Sequence, residues 1–284
     1  MPLCYVVRSW SRQPSSNGSV LSVSCSWPPG WTNLAQVLEA SFPGLNVEVP
    51  KKELGFLLET GGKLTLSGAV PATQALDDLL RLMTRLVSVN DDADVSHCLD
   101  LYRIPEESAA SPEEWPYTDI GQAVYRAKYR GDYQSSMSVA DRMTQVIRMH
   151  PALASADVVC AMPPAPDSGN RTDVAAQWVR SLSEGLDVPA IALRRTRAVR
   201  PQKGIADTVE RRRNQESSMA ADPDARERRV LVVDDLYMSG DTVRETVRAL
   251  RAEGASQVFI LCAVKTAKGT RGLDELLEAR EGWG

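Results

Sequence analysis

In the second half of the chain, short apolar runs alternate with longer stretches of helical length. Asp157 to Met162, Ala190 to Leu193, Arg229 to Val233 and Gln257 to Val264 are apolar runs of strand length. Gln122 to Met149, Thr172 to Leu186 and Gly240 to Glu253 read as helices, the first broken at Gly131. Alternation of this kind predicts βαβ units around a parallel sheet. Strands of such a sheet are covered on both faces and therefore read as continuous apolar runs.

The first half has a different texture. Leu3 to Val7 and Val20 to Trp27 have strand-like composition and flank the turn-rich loop Ser11 to Gly18, which predicts a hairpin. Trp31 to Ala40 and Ala72 to Val87 read as helices; in the second, Leu76, Leu79, Leu80, Met83 and Leu86 recur at helical spacing. Val95 to Tyr102 is a further candidate strand. The polar, proline-bounded stretch Pro105 to Glu114 suits a linker. The expected fold class is α/β, a parallel-sheet core over residues 115–284 with an additional small α+β domain over residues 1–110. No chemical motif emerges in that amino-terminal domain, so an accessory, interaction or lid role is expected of it.

Length and composition narrow this little. The 284 residues, 43% apolar and 25% charged, are ordinary for a globular chain of one or two domains. No apolar run reaches the ~18 residues of a membrane span, and the first residues lack the features of a secretion leader. Five scattered cysteines without a CxxC pair, and two distant histidines, argue against a disulfide framework or a zinc site. Buried thiols in a reducing cytoplasm are expected instead, and no metal-ligating set is proposed.

Charge changes the picture more. The net charge of −4 excludes a chain built mainly to coat nucleic acid. It is unevenly spread, with 8 basic and 14 acidic residues up to position 115 and 25 basic and 23 acidic after it. Arg194 to Arg213 alone holds 8 basic and 2 acidic residues, a first sign of an anionic ligand.

The chemistry concentrates in Val230-Leu231-Val232-Val233-Asp234-Asp235-Leu236-Tyr237-Met238-Ser239-Gly240-Asp241-Thr242. A buried strand ends in two adjacent carboxylates, then a short hydroxyl-rich loop opens a helix. Open parallel sheets bind ligands at the carboxyl ends of their strands. A helix start offers free N–H groups and partial positive charge to phosphate. Ser239 and Thr242 can donate to phosphate oxygens, and Gly240 lets the backbone come close. Asp234 and Asp235 can accept from ribose hydroxyls. The plainer alternative is an ordinary turn with Ser239 or Asp241 as helix N-cap. It leaves two successive carboxylates at the end of a buried strand unexplained, where charge is costly.

The segment resembles the phosphoribosyl pyrophosphate (PRPP) loop of type I phosphoribosyltransferases: four apolar residues, two acids, an apolar residue, then a small loop ending in Gly-x-Thr. Met238 stands where that family often has threonine, and it cannot donate to phosphate. Lys128-Tyr129-Arg130-Gly131-Asp132 is similar to the Lys-Tyr-x-Gly-Asp signature of ComF-type members. Arg195-x-Arg197-x-Val199-x-x-Gln202 with Arg211-x-x-Asn214 resembles a further run of theirs, with valine replacing threonine at 199. The likeness covers about residues 120–266. It departs at the amino-terminal zinc module, which has no counterpart here. It departs again at Pro163 to Arg171, where only fragments of the usual Arg-Gly-Phe-Asn-Gln stretch remain.

The resemblance implies a phosphoribosyltransferase-like core in which Asp234 and Asp235 serve catalysis. Tyr237, Met238, Ser239, Gly240, Asp241 and Thr242 would bind the 5-phosphate of PRPP or a nucleotide. Ser168, Gly169, Asn170 and Arg171 would meet pyrophosphate. Arg195, Arg197, Gln202, Arg211 and Asn214 would belong to a hood loop; a solvated charged face and nucleic-acid contact are the alternatives for that basic stretch. Lys128 and Arg130 either reach the same anions or are solvated on a helix surface. Mg2+ is the implied cofactor, carried on substrate oxygens. A homodimer and a protein partner met through residues 1–110 are further expectations. The leading function is transfer or cleavage of a phosphoribosyl group. The alternatives are a non-catalytic PRPP or nucleotide sensor, and an effector or accessory subunit in a nucleic-acid process such as competence or phage defence. The acceptor is not legible.

Overall fold

A computed structural model describes residues 3–26, 30–49, 61–106, 108–164, 173–196, 218–267 and 277. In chain order the first strands and helices are β1 (Leu3–Tyr5), β2 (Val7–Ser15), β3 (Gly18–Cys25), α1 (Gly30–Ser41), β4 (Leu45–Glu48), β5 (Gly61–Gly68), α2 (Thr73–Met83), β6 (Val87–Asn90) and β7 (Val95–Leu101). They are followed by α3 (Asp119–Arg130), α4 (Tyr133–Met149), α5 (Pro151–Ala154), β8 (Val158–Ala161), α6 (Val174–Leu186), β9 (Leu193–Arg195), β10 (Met219–Ala221), β11 (Arg229–Tyr237), α7 (Asp241–Glu253) and β12 (Gln257–Lys265).

The central sheet has six strands in the order β1-β6-β7-β12-β11-β8. β7, β12, β11 and β8 run parallel, and β6 is antiparallel to both of its neighbours. The expected α/β class with a largely parallel sheet is therefore what the chain forms. β11 and β12 are flanked on both sides, which is why they read as uninterrupted apolar runs. Their side chains divide between two layers. Leu231, Val233, Phe259 and Leu261 join the core that also holds α3, α4 and α6. Val230, Val232, Ile260 and Cys262 pack with Val243, Val247 and Leu250 of α7 on the opposite face.

The additional amino-terminal unit is a four-stranded antiparallel sheet, β2-β3-β5-β4, whose core is shared with α1 and α2. The hairpin is longer than expected. Ser11 to Ser15 are strand rather than loop, pairing with Ser22 to Gly18, so the turn shrinks to Ser16 and Asn17. β2 is an edge strand, where a ladder tolerates Pro14 and a polar outer face. The helix expected through Val87 stops at Met83, and Val87 to Asn90 instead form β6, with Val87 and Ser88 opposite Cys98 and His97. The polar stretch near residue 110 does not divide one sheet from another. β1, β6 and β7 precede it and lie in the same sheet as β8, β11 and β12.

Local signals set the helix ends near the site. Thr118 caps α3 by accepting from the Gly121 N–H at 2.9 Å. Gly131 closes α3 in the left-handed conformation (φ 65°), which a glycine adopts without strain. Asp132 then caps α4 by accepting from Ser135. Among the described residues no helix is long and apolar enough to cross a membrane.

Candidate functional site

The two carboxylates stand at the carboxyl end of β11. β8 pairs with β11 only as far as Val233, opposite Ala161, whereas β11 continues beside β12 to Tyr237. Asp234 and Asp235 thus lie past the end of one neighbouring strand, half-buried in the crevice it leaves. Such a crevice outside the strand ends is where open α/β sheets take their ligands.

The pair is electrostatically crowded. Asp234 accepts from the Asp235 N–H at 2.8 Å. Burial and the adjacent Asp235 charge push the Asp234 carboxyl up to about 8, against smaller opposing pulls from that hydrogen bond, Lys128 and Arg195. Lys128, near the end of α3, makes a close ion pair with Asp235, with side-chain exposures of 21% and 14%. Burial alone would lower the lysine; the Asp235 charge and hydrogen bond overcome it and hold Lys128 above its ordinary value. The solvated-helix alternative therefore does not describe Lys128. It does describe Arg130, which is exposed, with its guanidinium 6.0 Å from the Tyr125 ring centre.

The loop after the carboxylates leads directly into α7. Its N-cap is Gly240, left-handed at φ 83°, with no side-chain cap bond. Neither Ser239 nor Asp241 caps the helix; the Ser239 hydroxyl donates to Asp241 Oδ2 at 2.7 Å. The first N–H groups of α7 are thus left uncapped by side chains, the arrangement that suits a phosphate. Thr242 is half-buried and Met238 is 57% exposed. Tyr237 differs from the rest of the expected phosphate set. Its ring is buried, and its hydroxyl donates to Asp91 Oδ2 at 2.9 Å. A Cβ on Gly240 would lie 2.7 Å from that hydroxyl, so a side chain there would force the Tyr237 hydroxyl or the loop to shift.

Arg195 ends β9 and donates from Nε to the Pro164 carbonyl at 2.9 Å. Burial lowers its guanidinium, and the Asp234 charge partly offsets this. It joins the base of the basic stretch to the start of the segment after β8. Ser168, Gly169, Asn170, Arg171, Arg197, Gln202, Arg211 and Asn214 lie outside the described residues. Among the described residues no group of three or more His, Cys, Asp or Glu side chains could hold a metal ion.

Residues 174–276 match the family model for the phosphoribosyl transferase domain. That stretch holds α6, β11, α7 and β12, and it is phosphoribosyltransferase-like. It leaves out everything before Val174, including α3 with Lys128, α4, α5 and β8. No curated protein matches the sequence. Among solved structures, the chain is similar to phosphoribosylpyrophosphate synthetase from Mycobacterium smegmatis, with 20% identity and a TM-score of 0.32 over 50% of this chain and 37% of that one. Orotate phosphoribosyltransferase from Aeropyrum pernix shows 20% identity and a TM-score of 0.34 over 55% and 80% of the two chains. Adenine phosphoribosyltransferase from Leishmania tarentolae shows 12% identity and a TM-score of 0.37 over 65% and 94%.

Proposed function

We propose that the chain binds PRPP, or a nucleotide 5-phosphate, across the β11–α7 turn and transfers or cleaves the phosphoribosyl group. The observation that carries this reading is the adjacent Asp234–Asp235 pair in the crevice beyond β8, one short loop from the uncapped start of α7. One end of that turn suits ribose hydroxyls and the other the 5-phosphate. A ComF-type relation belongs to the proposal. Its Lys-Tyr-x-Gly-Asp signature has a physical counterpart in the Lys128–Asp235 contact, the Gly131 helix stop and the Asp132 cap.

In this reading Asp234 and Asp235 accept hydrogen bonds from the ribose and lie near the positive charge that develops at the anomeric carbon. Lys128 holds the Asp235 carboxylate in place through their ion pair. The backbone N–H groups of α7, with Ser239 and Thr242, hold the 5-phosphate. Arg195, whose guanidinium feels the Asp234 charge, would stabilise pyrophosphate as it departs with the electron pair of the broken C–O bond. Rate enhancement then comes from positioning and fixed charge. The donor set fits Mg2+, an ion that keeps waters and takes few protein ligands, with Asp234 and Asp235 as the nearby acids. When bound, Mg2+ would neutralise charge on the pyrophosphate.

A second reading, a PRPP or nucleotide sensor without turnover, is favoured by one feature. Met238 occupies the phosphate loop with an exposed side chain that cannot donate. Calorimetric titration with PRPP and Mg2+, followed by pyrophosphate release over a panel of bases, separates the two. Binding with turnover supports the transferase, and binding without it supports the sensor. Retention of full affinity in the Asp234→Asn/Asp235→Asn variant would overturn both.

A further inference from the structure

The turn between β6 and β7, Asp91-Asp92-Ala93-Asp94, reaches the phosphate loop and its helix at several points. Asp91 accepts three hydrogen bonds. Its Oδ1 takes the Ala93 N–H at 2.9 Å, and its Oδ2 takes the Ser96 hydroxyl at 2.7 Å and the Tyr237 hydroxyl at 2.9 Å. Asp92 accepts from Arg244 Nε at 2.8 Å. Asp94 accepts from the Val258 N–H at 2.7 Å and makes a close contact with Arg251. Gln36 of α1 donates to the Ala93 carbonyl at 3.1 Å. The turn is therefore fixed by α1 on one side and clamps two arginines of α7 on the other.

Tyr237 is the point at which this brace meets the site. It is the last residue of β11 and lies two residues beyond Asp235. Its carbonyl accepts from the Thr266 N–H at 3.0 Å, and Lys265 Nζ lies 5.7 Å from its ring centre. Gly240, the N-cap of α7, lies against the Tyr237 hydroxyl so closely that a methyl group would not fit. The position of that hydroxyl thus sets how the loop folds back to aim the α7 N–H groups. A hydroxyl held by a carboxylate is held by a charge-assisted bond, about twice as strong as a neutral one.

We propose that Asp91, a residue of the amino-terminal region and outside the matched domain, is a positioning residue for the phosphate loop, acting through the Tyr237 hydroxyl. The proposal rests on the PRPP-site reading above for its functional consequence, and on geometry alone for the loop conformation. It assigns a task to the amino-terminal region: this region completes the donor site in addition to any partner it binds.

The test uses the full chain with Asp91→Asn, Tyr237→Phe and the double variant. Asp91→Asn puts an amide donor among three donors, and Tyr237→Phe deletes only the hydroxyl. Two quantities are read: the Kd for PRPP with Mg2+ by calorimetry, and amide hydrogen exchange across residues 236–243 against 258–264. Each single variant is expected to weaken PRPP at least tenfold, and the double no further than the weaker single. Exchange is expected to rise at least tenfold in 236–243 and to stay unchanged in 258–264. A lowered melting temperature with unchanged Kd and unchanged loop exchange would reduce Asp91 to a structural role and overturn the proposal. Losses that multiply in the double variant would overturn it too. If the unmodified chain binds no PRPP, the donor-site reading falls, and the exchange comparison alone decides whether Asp91 holds the loop.

Discussion

Asp234 is held in the fold at a cost that function would have to justify, and this gives a sharp prediction. Its carboxyl is raised from an ordinary value of 3.8 to about 8 by burial and by Asp235. An acid whose folded value is raised is favourable to folding below the unfolded value, and that advantage is lost as pH rises through the folded value. The penalty is therefore absent near pH 4, grows steadily, and is complete above pH 8. Each unit is worth about 1.4 kcal/mol, so four units set a ceiling of about 6 kcal/mol. Asp234 is only partly covered, and solvent screening reduces the figure to roughly 2–3 kcal/mol. Asp234→Asn removes the charge and keeps the oxygen that accepts from the Asp235 N–H. The variant should be no more stable than the parent at pH 4.5 and roughly 2–3 kcal/mol more stable at pH 8. Urea unfolding at pH 4.5, 6, 7 and 8 reads this directly, and calorimetry should show PRPP binding lost in the same protein. A variant that is destabilised at pH 8, or whose gain does not grow with pH, would refute the reasoning.

Two further outcomes follow from the geometry. Gly240→Ala forces a left-handed non-glycine residue, at about 1–2 kcal/mol, and a methyl 2.7 Å from the Tyr237 hydroxyl; thermal melting should fall by several degrees and PRPP affinity with it, and an unchanged melting curve would contradict the close approach. The buried pair His97–His150, with ring nitrogens 3.1 Å apart, is kept neutral by burial, which lowers His97 to about 3 and His150 well below its usual range. Stability from both is complete above pH 6.5 and is lost as pH falls toward 3, at up to about 1.4 kcal/mol per pH unit for each; His150→Gln should flatten that acid limb in urea titrations.

The strand, loop and helix at 230–242 are legible in the sequence because the carboxyl end of a buried parallel strand imposes a recognisable order: apolar run, acids, small loop, helix. The break at Gly131 is legible for a similar local reason, since a left-handed helix stop selects glycine. Features that depend on distant partners are not. Tyr237 looks like a loop residue until its hydroxyl is seen on Asp91, 146 positions away. The acid run at Asp91 to Asp94 is visible as charge, but nothing local says that it faces α7. Lys128 has the spacing of a solvated helix residue, and only the packing of α3 across the strand ends brings it to Asp235. β6 merges with the preceding helix in the sequence pattern because four residues carry too little periodicity to separate a strand from a helix end. The hairpin reads too short because pairing, more than side-chain preference, sets the length of an edge strand.

The strand order has a consequence for how the chain is made. β12 is the last described strand, yet it sits in the middle of the sheet, between β7 and β11. Val95 of β7 pairs with Phe259, so the first three strands of the sheet must wait for a segment synthesised much later. At roughly 5–20 residues per second, that interval lasts roughly 10–30 s on the ribosome. During it, β7 presents an open, wholly buried-type edge to the cell. Exposed edges of this kind recruit other strands. The inner edge of β7 is therefore completed only once residues 257–265 have been made.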